Sequence, residues 1–216
     1  MIIVAGGGKG GSGKSTIATH LTIMRAHAGY DVLLVDADDQ ETAADFTVLR
    51  NATVAQGAGY TCIKLTGPAV RTEIARLAPK YDDVIVDAGG RDTVSQRAAL
   101  VLADILLIPF VPRSFDIWTL ETVVTLIHEI RTVNPTLRAY AFINRGDPSG
   151  TDNAEAGHLL QEKEAITYVE TPIVSRKAFG KAAAQGRAVT ELQPADPKAT
   201  REITALYDVL FGEREA

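Results

Sequence analysis

Two lysines, Lys9 and Lys14, share one glycine-rich stretch, Gly6–Thr16, GGGKGGSGKST. From Gly8 to Ser15 the stretch fits G-x-x-x-x-G-K-[ST], a pattern whose chemistry is the holding of a nucleotide's phosphates. Glycines let the backbone curl until successive N–H groups point inward at phosphate oxygens. A helix opening at the end of such a loop adds its positive end. Gly8, Gly10, Gly11, Ser12, Gly13 and Thr16 then form the cradle. Lys14 reaches the β and γ phosphates, and the Ser15 hydroxyl ligates Mg2+. One lysine suffices for that task. On the residues alone the second, Lys9, is a solvated loop lysine.

The loop needs a strand before it and a helix after it, and the chain offers both. Ile2–Ala5 reads as a strand. Ser15–Ala28 reads as a helix with Ile17, Leu21, Met24 and Ala28 on one face, closed by Gly29. Further strands are expected at Asp31–Asp36, Tyr60–Leu65, Asp83–Asp87, Ile105–Pro109 and Arg138–Asn144. Helices are expected at Pro68–Lys80, Ile117–Val133, Glu155–Ile166 and Thr200–Phe211. Continuous apolar strands separated by helices predict an α/β fold, a doubly wound, mostly parallel sheet with helices on both faces. No linker, repeat or low-complexity segment interrupts 1–216, so one domain is expected.

Composition sets the outer bounds. The 216 residues are 46% hydrophobic and 23% charged, the balance of a soluble globular protein. The net charge of -5 excludes a simple basic nucleic-acid binder, so any DNA contact must be a local patch. The one cysteine, Cys62, excludes an internal disulfide framework and a cysteine metal cluster, and reads as a small apolar strand residue. The opening MIIVAGGG carries no signal-peptide pattern, and no stretch approaches the ~20 apolar residues of a membrane span, so a cytoplasmic location is expected.

The run KGGSGKS resembles the loop of the deviant Walker A ATPases, the ParA/MinD partition and positioning family, where the loop reads KGGxGK[ST]. The resemblance implies an ATPase using ATP and Mg2+. Lys9 then reaches across a nucleotide-sandwich homodimer to the partner's phosphates, as an arginine finger does, worth roughly 10³–10⁵ in rate. Lys14 serves its own nucleotide. The family's D-x-D-P-Q stands here as Asp36-Ala-Asp38-Asp39-Gln40. By resemblance Asp36 lies near Mg2+ and Asp38 orients the attacking water. Asp39 replaces the usual proline and adds negative charge. Val84-Ile-Val-Asp87 is a Walker B arrangement, with Asp87 holding Mg2+ through water. Gly89 and Gly90 let the following loop move, and Arg91 beside them reads equally as surface. Ile108–Pro112 matches a proline-bearing segment at the family's dimer face, or is a plain connection. Asn144 matches the position whose amide reads adenine N6 and N7, against an ordinary turn asparagine.

Thr171–Thr190 holds no acidic residue but carries Arg176, Lys177, Lys181 and Arg187. Ile130–Gly146 is also acid-free, with Arg131, Arg138 and Arg145. By resemblance the first stretch contacts nonspecific double-stranded DNA in the ATP dimer, which makes the protein nucleoid-associated when ATP-bound. Read without the family, both are solvated faces. The C-terminal stretch from Arg201 sets two arginines against four acids, which opposes anionic lipid, so a helix docked on the domain and no membrane partner are expected. The loop follows the first strand at once, so no N-terminal helix-turn-helix domain is expected. The chain thus looks like the small ParF-type plasmid partition ATPases, which work with a ParB-like or centromere-binding adaptor. Alternatives are positioning of another cargo (a carboxysome or chemoreceptor cluster), a nucleotide-switched partner-binding regulator, and a biosynthetic ligase of the same superfamily.

Overall fold

The computed structural model describes residues 1–7, 10–90, 92–112, 117–149 and 151–212. Among them seven strands form one sheet in the order β3-β2-β4-β1-β5-β6-β7. These are β1 (Ile2–Ala5), β2 (Val32–Ala37), β3 (Thr61–Lys64), β4 (Asp83–Ala88), β5 (Ile105–Phe110), β6 (Arg138–Gly146) and β7 (Thr167–Val174). Every neighbouring pair is parallel. The helices are α1 (Lys14–His27), α2 (Thr42–Thr53), α3 (Ala69–Leu77), α4 (Val94–Leu100), α5 (Ile117–Arg131), α6 (Asp152–Gln161), α7 (Lys177–Ala183) and α8 (Pro197–Phe211).

Period-two alternation along the central strands feeds two cores. Val4, Leu33, Val35, Val84, Val86 and Leu106 pack under α3 to α6. Ile3, Leu34, Ile85, Leu107 and Phe142 pack under α1, α7 and α8. The C-terminal helix buries Ile203, Leu206, Leu210 and Phe211 on the domain. No helix among the described residues is long and apolar enough to cross a membrane.

Six elements depart from the expected map. α2, α4, α7 and β7 stand where no regular element was predicted. The helix expected over Glu155–Ile166 begins at Asp152 and ends at Gln161, because the chain must turn to enter β7. β5 runs through Pro109 to Phe110. The carbonyl of Leu107 faces β1, where it accepts from Gly6 N–H. Pro109, two residues on, therefore turns its nitrogen to the same side, past the end of β1, and breaks no ladder there.

α1 is buried nearly all round, and one of its residues bonds on both sides. The His20 Nδ1 lies 2.7 Å from the Thr16 carbonyl, and Nε2 accepts from Val189 N–H at 3.1 Å. That pairing requires the neutral ring protonated on Nδ1. Burial pushes its pKa from 6.5 to about 4. Between those values the unfolded chain binds more protons than the fold. This contribution to stability is therefore complete above 6.5, shrinks as pH falls, and is gone below about 4. About 3 kcal/mol should be lost across the window. Urea unfolding on both sides of it should show a larger acid loss for the wild type than for His20→Gln. Equal losses would overturn the neutral, doubly bonded ring.

Candidate nucleotide site

The same alternation decides which side chains gather at the C-terminal edge of the sheet. In β2 and β4 the residues Leu34 and Ile85 face α1, so Asp36 and Asp87, each two positions further on, face it too. Register sets Asp36 opposite Asp87, and Asp87 opposite Ala5 of β1. Neighbouring strands lie about 4.8 Å apart, so two carboxylates stand side by side where α1 begins. This edge, beside the central strand of a doubly wound sheet, is where such folds bind ligands.

The loop between β1 and α1 is shaped by glycine and held from two elements. Gly11 and Gly13 have φ of 78° and 92°. A Cβ on Gly13 would come 2.5 Å from Asn144 Nδ2. Asn144, at the end of β6, donates to the Ser12 carbonyl at 2.6 Å, and Arg145 donates to the Gly11 carbonyl at 2.8 Å. Gly7 N–H donates to Gln96 Oε1 on α4 at 3.2 Å. No side chain among the described residues caps α1, and its first turn holds no acid. Its positive end is left facing the loop, the arrangement that favours an anion. Gly8 and Lys9, with Arg91, lie outside the described residues.

Lys14 is 5% exposed. Burial lowers its pKa, against the pull of Asp87 and Asp38. Asp87 is buried, and neither carboxylate oxygen has a full hydrogen bond among the described residues. Burial pushes it up to about 7; the Ser15 hydroxyl and Lys14 pull the other way, and Asp36 and Asp38 add to the rise. A buried carboxylate lacking donors, beside two more carboxylates and one ammonium, suits an added cation. Asp36, Asp38 and Asp87 do not converge into a protein-only cage, and no such cluster of three exists among the described residues. The fit is to Mg2+, which keeps waters and shares its ligands with phosphate.

Asp36, expected near Mg2+, also has a task in the scaffold. Its Oδ2 accepts from Ala44 N–H at 2.8 Å and its Oδ1 from Asp38 N–H at 3.2 Å. It ties the first turn of α2 and the Asp38 loop to β2. Burial leads its raised pKa, and these backbone donors oppose it. Asp38 accepts from Gln40 N–H at 3.2 Å, and a Cβ on Gly89 would lie 3.5 Å from Asp38 Oδ1. The two loops thus lie close together, and Asp38 acts on the Lys14 ammonium. Asp39 is exposed.

Beside α1 a cleft of about 240 Å³ opens between Gly13, Thr16, Asn144, Ile173 and Phe179, with Arg176 at its rim. Its walls are partly apolar and partly polar, which suits a planar heteroaromatic base. Asn144 lines it with one amide proton committed to Ser12. Arg145 and Gln96, which also hold the loop, carry no sequence signal beyond neighbourhood to Asn144 and a place in α4.

The basic stretch divides. Arg176 is paired with Glu202 of α8, with Nε 3.0 Å and Nη2 2.5 Å from its oxygens. Arg187 is half-buried, while Lys177 and Lys181 are exposed. Those two line an open groove with Lys198 and Arg201, which lie outside the acid-free stretch. Of the second stretch, Arg131 donates to the Leu137 carbonyl and Arg138 lies over Tyr140. The site predicts that Gly13→Ala, strained by φ of 92° and blocked by Asn144, keeps its melting temperature within a few degrees but loses measurable nucleotide binding. Unchanged binding would mean that this loop conformation is not the one that holds phosphate.

Residues 2–189 match the family model described as the CobQ/CobB/MinD/ParA nucleotide binding domain. A curated relative, maintenance of carboxysome distribution protein A of Halothiobacillus neapolitanus, is 26% identical, with 93% of this chain and 91% of the relative covered. Among solved structures, apo McdA of "Cyanthece" superposes with a TM-score of 0.80 at 18% identity, over 97% of this chain and 98% of the other. A plasmid partition protein of Borrelia burgdorferi superposes with a TM-score of 0.69 at 18% identity, over 98% of each chain. At such identities the structures establish the shared fold. With the family model spanning most of its length, the chain belongs to the CobQ/CobB/MinD/ParA nucleotide-binding domain family.

Proposed function

We propose that this chain is a ParA-like partition ATPase. It dimerises on ATP, binds nonspecific DNA, and is released after adaptor-stimulated hydrolysis, so that it segregates a plasmid or chromosome. The observation that carries the reading is the KGGSGK sequence together with Gly13 and Lys14 opening α1 beside buried Asp87, which has no full hydrogen bond among the described residues. The relative that maintains carboxysome distribution favours a second reading of the same machine, in which the cargo is a protein body.

In this reading Lys14 and the loop amides bind the β and γ phosphates. The base enters the cleft at Asn144. Ser15 and Asp87 hold Mg2+, which neutralises charge developing on the phosphates. Asp36 keeps α2 and the Asp38 loop fixed to β2, so the Asp38 carboxylate is presented to the water that attacks the γ-phosphate. Lys9 of one protomer reaches the nucleotide of the other, where a cation stabilises the transition state. That makes the dimer a condition of hydrolysis.

The DNA surface is the groove of Lys177, Lys181, Lys198 and Arg201. Arg176 is excluded from it by Glu202, whose charge already answers the guanidinium. Four phosphate contacts per protomer make about eight per dimer, for a log–log salt slope near -7.

Two experiments check this. Labelled random-sequence duplex at low salt should bind with ATP and Mg2+ and not with ADP and Mg2+, and Lys181→Ala with Lys198→Ala should weaken binding and flatten the salt slope by about 4. No binding in either state would point instead to a partner-binding regulator or a biosynthetic relative. Lys14→Ala should abolish nucleotide binding. Lys9→Ala should keep it and lose hydrolysis or ATP-dependent dimerisation; survival of both would refute the role in trans.

A further inference from the structure

Two buried polar groups, His20 and Arg50, and the partly buried Glu191 take no part in the chemistry above. Each ends at the same short segment, 184–192, which joins α7 to the approach to α8. Arg50 lies on α2, two turns beyond the end that Asp36 holds. Its side chain is 2% exposed, and all three of its nitrogens donate. Nε donates to the Ala58 carbonyl at 2.9 Å, Nη1 to the Gly186 carbonyl at 2.9 Å, and Nη1 and Nη2 to Glu191 at 2.7 and 2.8 Å. Thr53 Oγ1, one turn further along α2, lies 2.9 Å from the Gln185 carbonyl. Gly186 has φ of 63°, and a Cβ there would sit 2.6 Å from Arg50 Cα. The segment is pressed onto the backbone of α2.

The second connection starts in the phosphate loop's own helix. The His20 ring bridges the Thr16 carbonyl and Val189 N–H, and packs against Phe179 of α7 with centroids 5.3 Å apart. Thr16 follows Lys14 and Ser15 in the first turn of α1. Glu191 closes the arrangement from the other side. Beyond Arg50, it accepts from Ala188 N–H at 2.8 Å and faces His27 Nε2 at 3.2 Å.

We propose that segment 184–192 is the mechanical link between the nucleotide site and the basic groove, with Arg50 and His20 as the residues that position it. One arm comes from the helix that carries Lys14 and the other from the helix that follows Asp38. The segment stands between the helices that present Lys177 and Lys181 on one side and Lys198 and Arg201 on the other. A buried, fully bonded ion pair is a poor device for stability alone, since apolar residues of equal volume often do as well. Its geometry is directional, so a shift of α2 must move Gly186 and Glu191 or break the pair. The link rests on the DNA-binding reading for its purpose, though not for its existence.

The test measures backbone hydrogen exchange in the full chain with Mg2+ and either ATP or ADP, beside duplex binding and nucleotide affinity. In the wild type, replacing ADP by ATP should alter exchange in 38–53 and in 184–192 together. Glu191→Gln should bind nucleotide normally and still respond in 38–53, but lose the response in 184–192. Its ratio of DNA affinities between ATP and ADP should fall to within about twofold of one. If Glu191→Gln melts too low to assay, Arg50→Lys keeps the cation but loses the fork, and takes its place. A variant that responds in 184–192 as the wild type does overturns the link. So does a wild type in which 184–192 ignores the nucleotide. A wild type with coupled exchange and no DNA binding in either state keeps the link and sinks the DNA reading instead.

Discussion

β4 carries two aspartates on one face, four residues apart, and they meet opposite fates. Asp83, at the N-terminal end, is answered by Arg25, whose Nε lies 2.6 Å from Oδ2. Asp87, at the C-terminal end, receives no full hydrogen bond among the described residues, shares Lys14 with Asp38 and lies beside Asp36. Burying a carboxylate without donors is expensive, and the rise of Asp87 to about 7 reports that expense. The fold sustains it because parallel pairing with β1 and β2 leaves the residue no other place to point. The register that buries Val84 and Val86 under one helical layer is the same register that drives Asp87 toward α1.

The parts of this arrangement that were legible in the sequence are those set by local chemistry. Glycine spacing and Lys14 announce the loop, and the apolar runs ending at Asp36 and Asp87 announce their strands. What escaped was set by partners distant in sequence. α2 buries Ala43, Ala44, Thr47 and Arg50, a face without the large apolar residues that periodicity detects. β7 is an edge strand, half exposed, carrying Glu170 and Pro172, and its alternation is correspondingly weak. α4 and α7 have seven residues each, too few for a helical pattern to declare itself.

The basic stretch shows the same limit in electrostatics. A window without acids in sequence is not a window without acids in space, and Glu202 reaches Arg176 from 26 residues away. Conversely, Lys198 and Arg201 stand among acids in sequence yet line the groove with Lys177 and Lys181. Asp196, which also borders that groove, accepts from the N–H groups of Lys198 and Ala199 as the cap of α8. Part of its charge is thereby spent on the helix, and the groove keeps a positive balance.

Asp36 is where site and scaffold are hardest to separate. Read from its motif it belongs with the metal, yet both oxygens accept from backbone, and through them it fixes α2. The two roles are compatible because a carboxylate oxygen has a second lone pair. Their combination has a consequence for how the site can work. A cation that drew on Asp36 would share its oxygens with the N–H groups of Ala44 and Asp38, and would so weaken the hold on α2 and on the Asp38 loop at once. Asp87 has no such tie among the described residues and can meet a cation without moving anything. In the proposed reading, that difference between a tethered and an untethered carboxylate would couple occupancy of the site to α2, the helix whose far end grips Gly186 and Glu191.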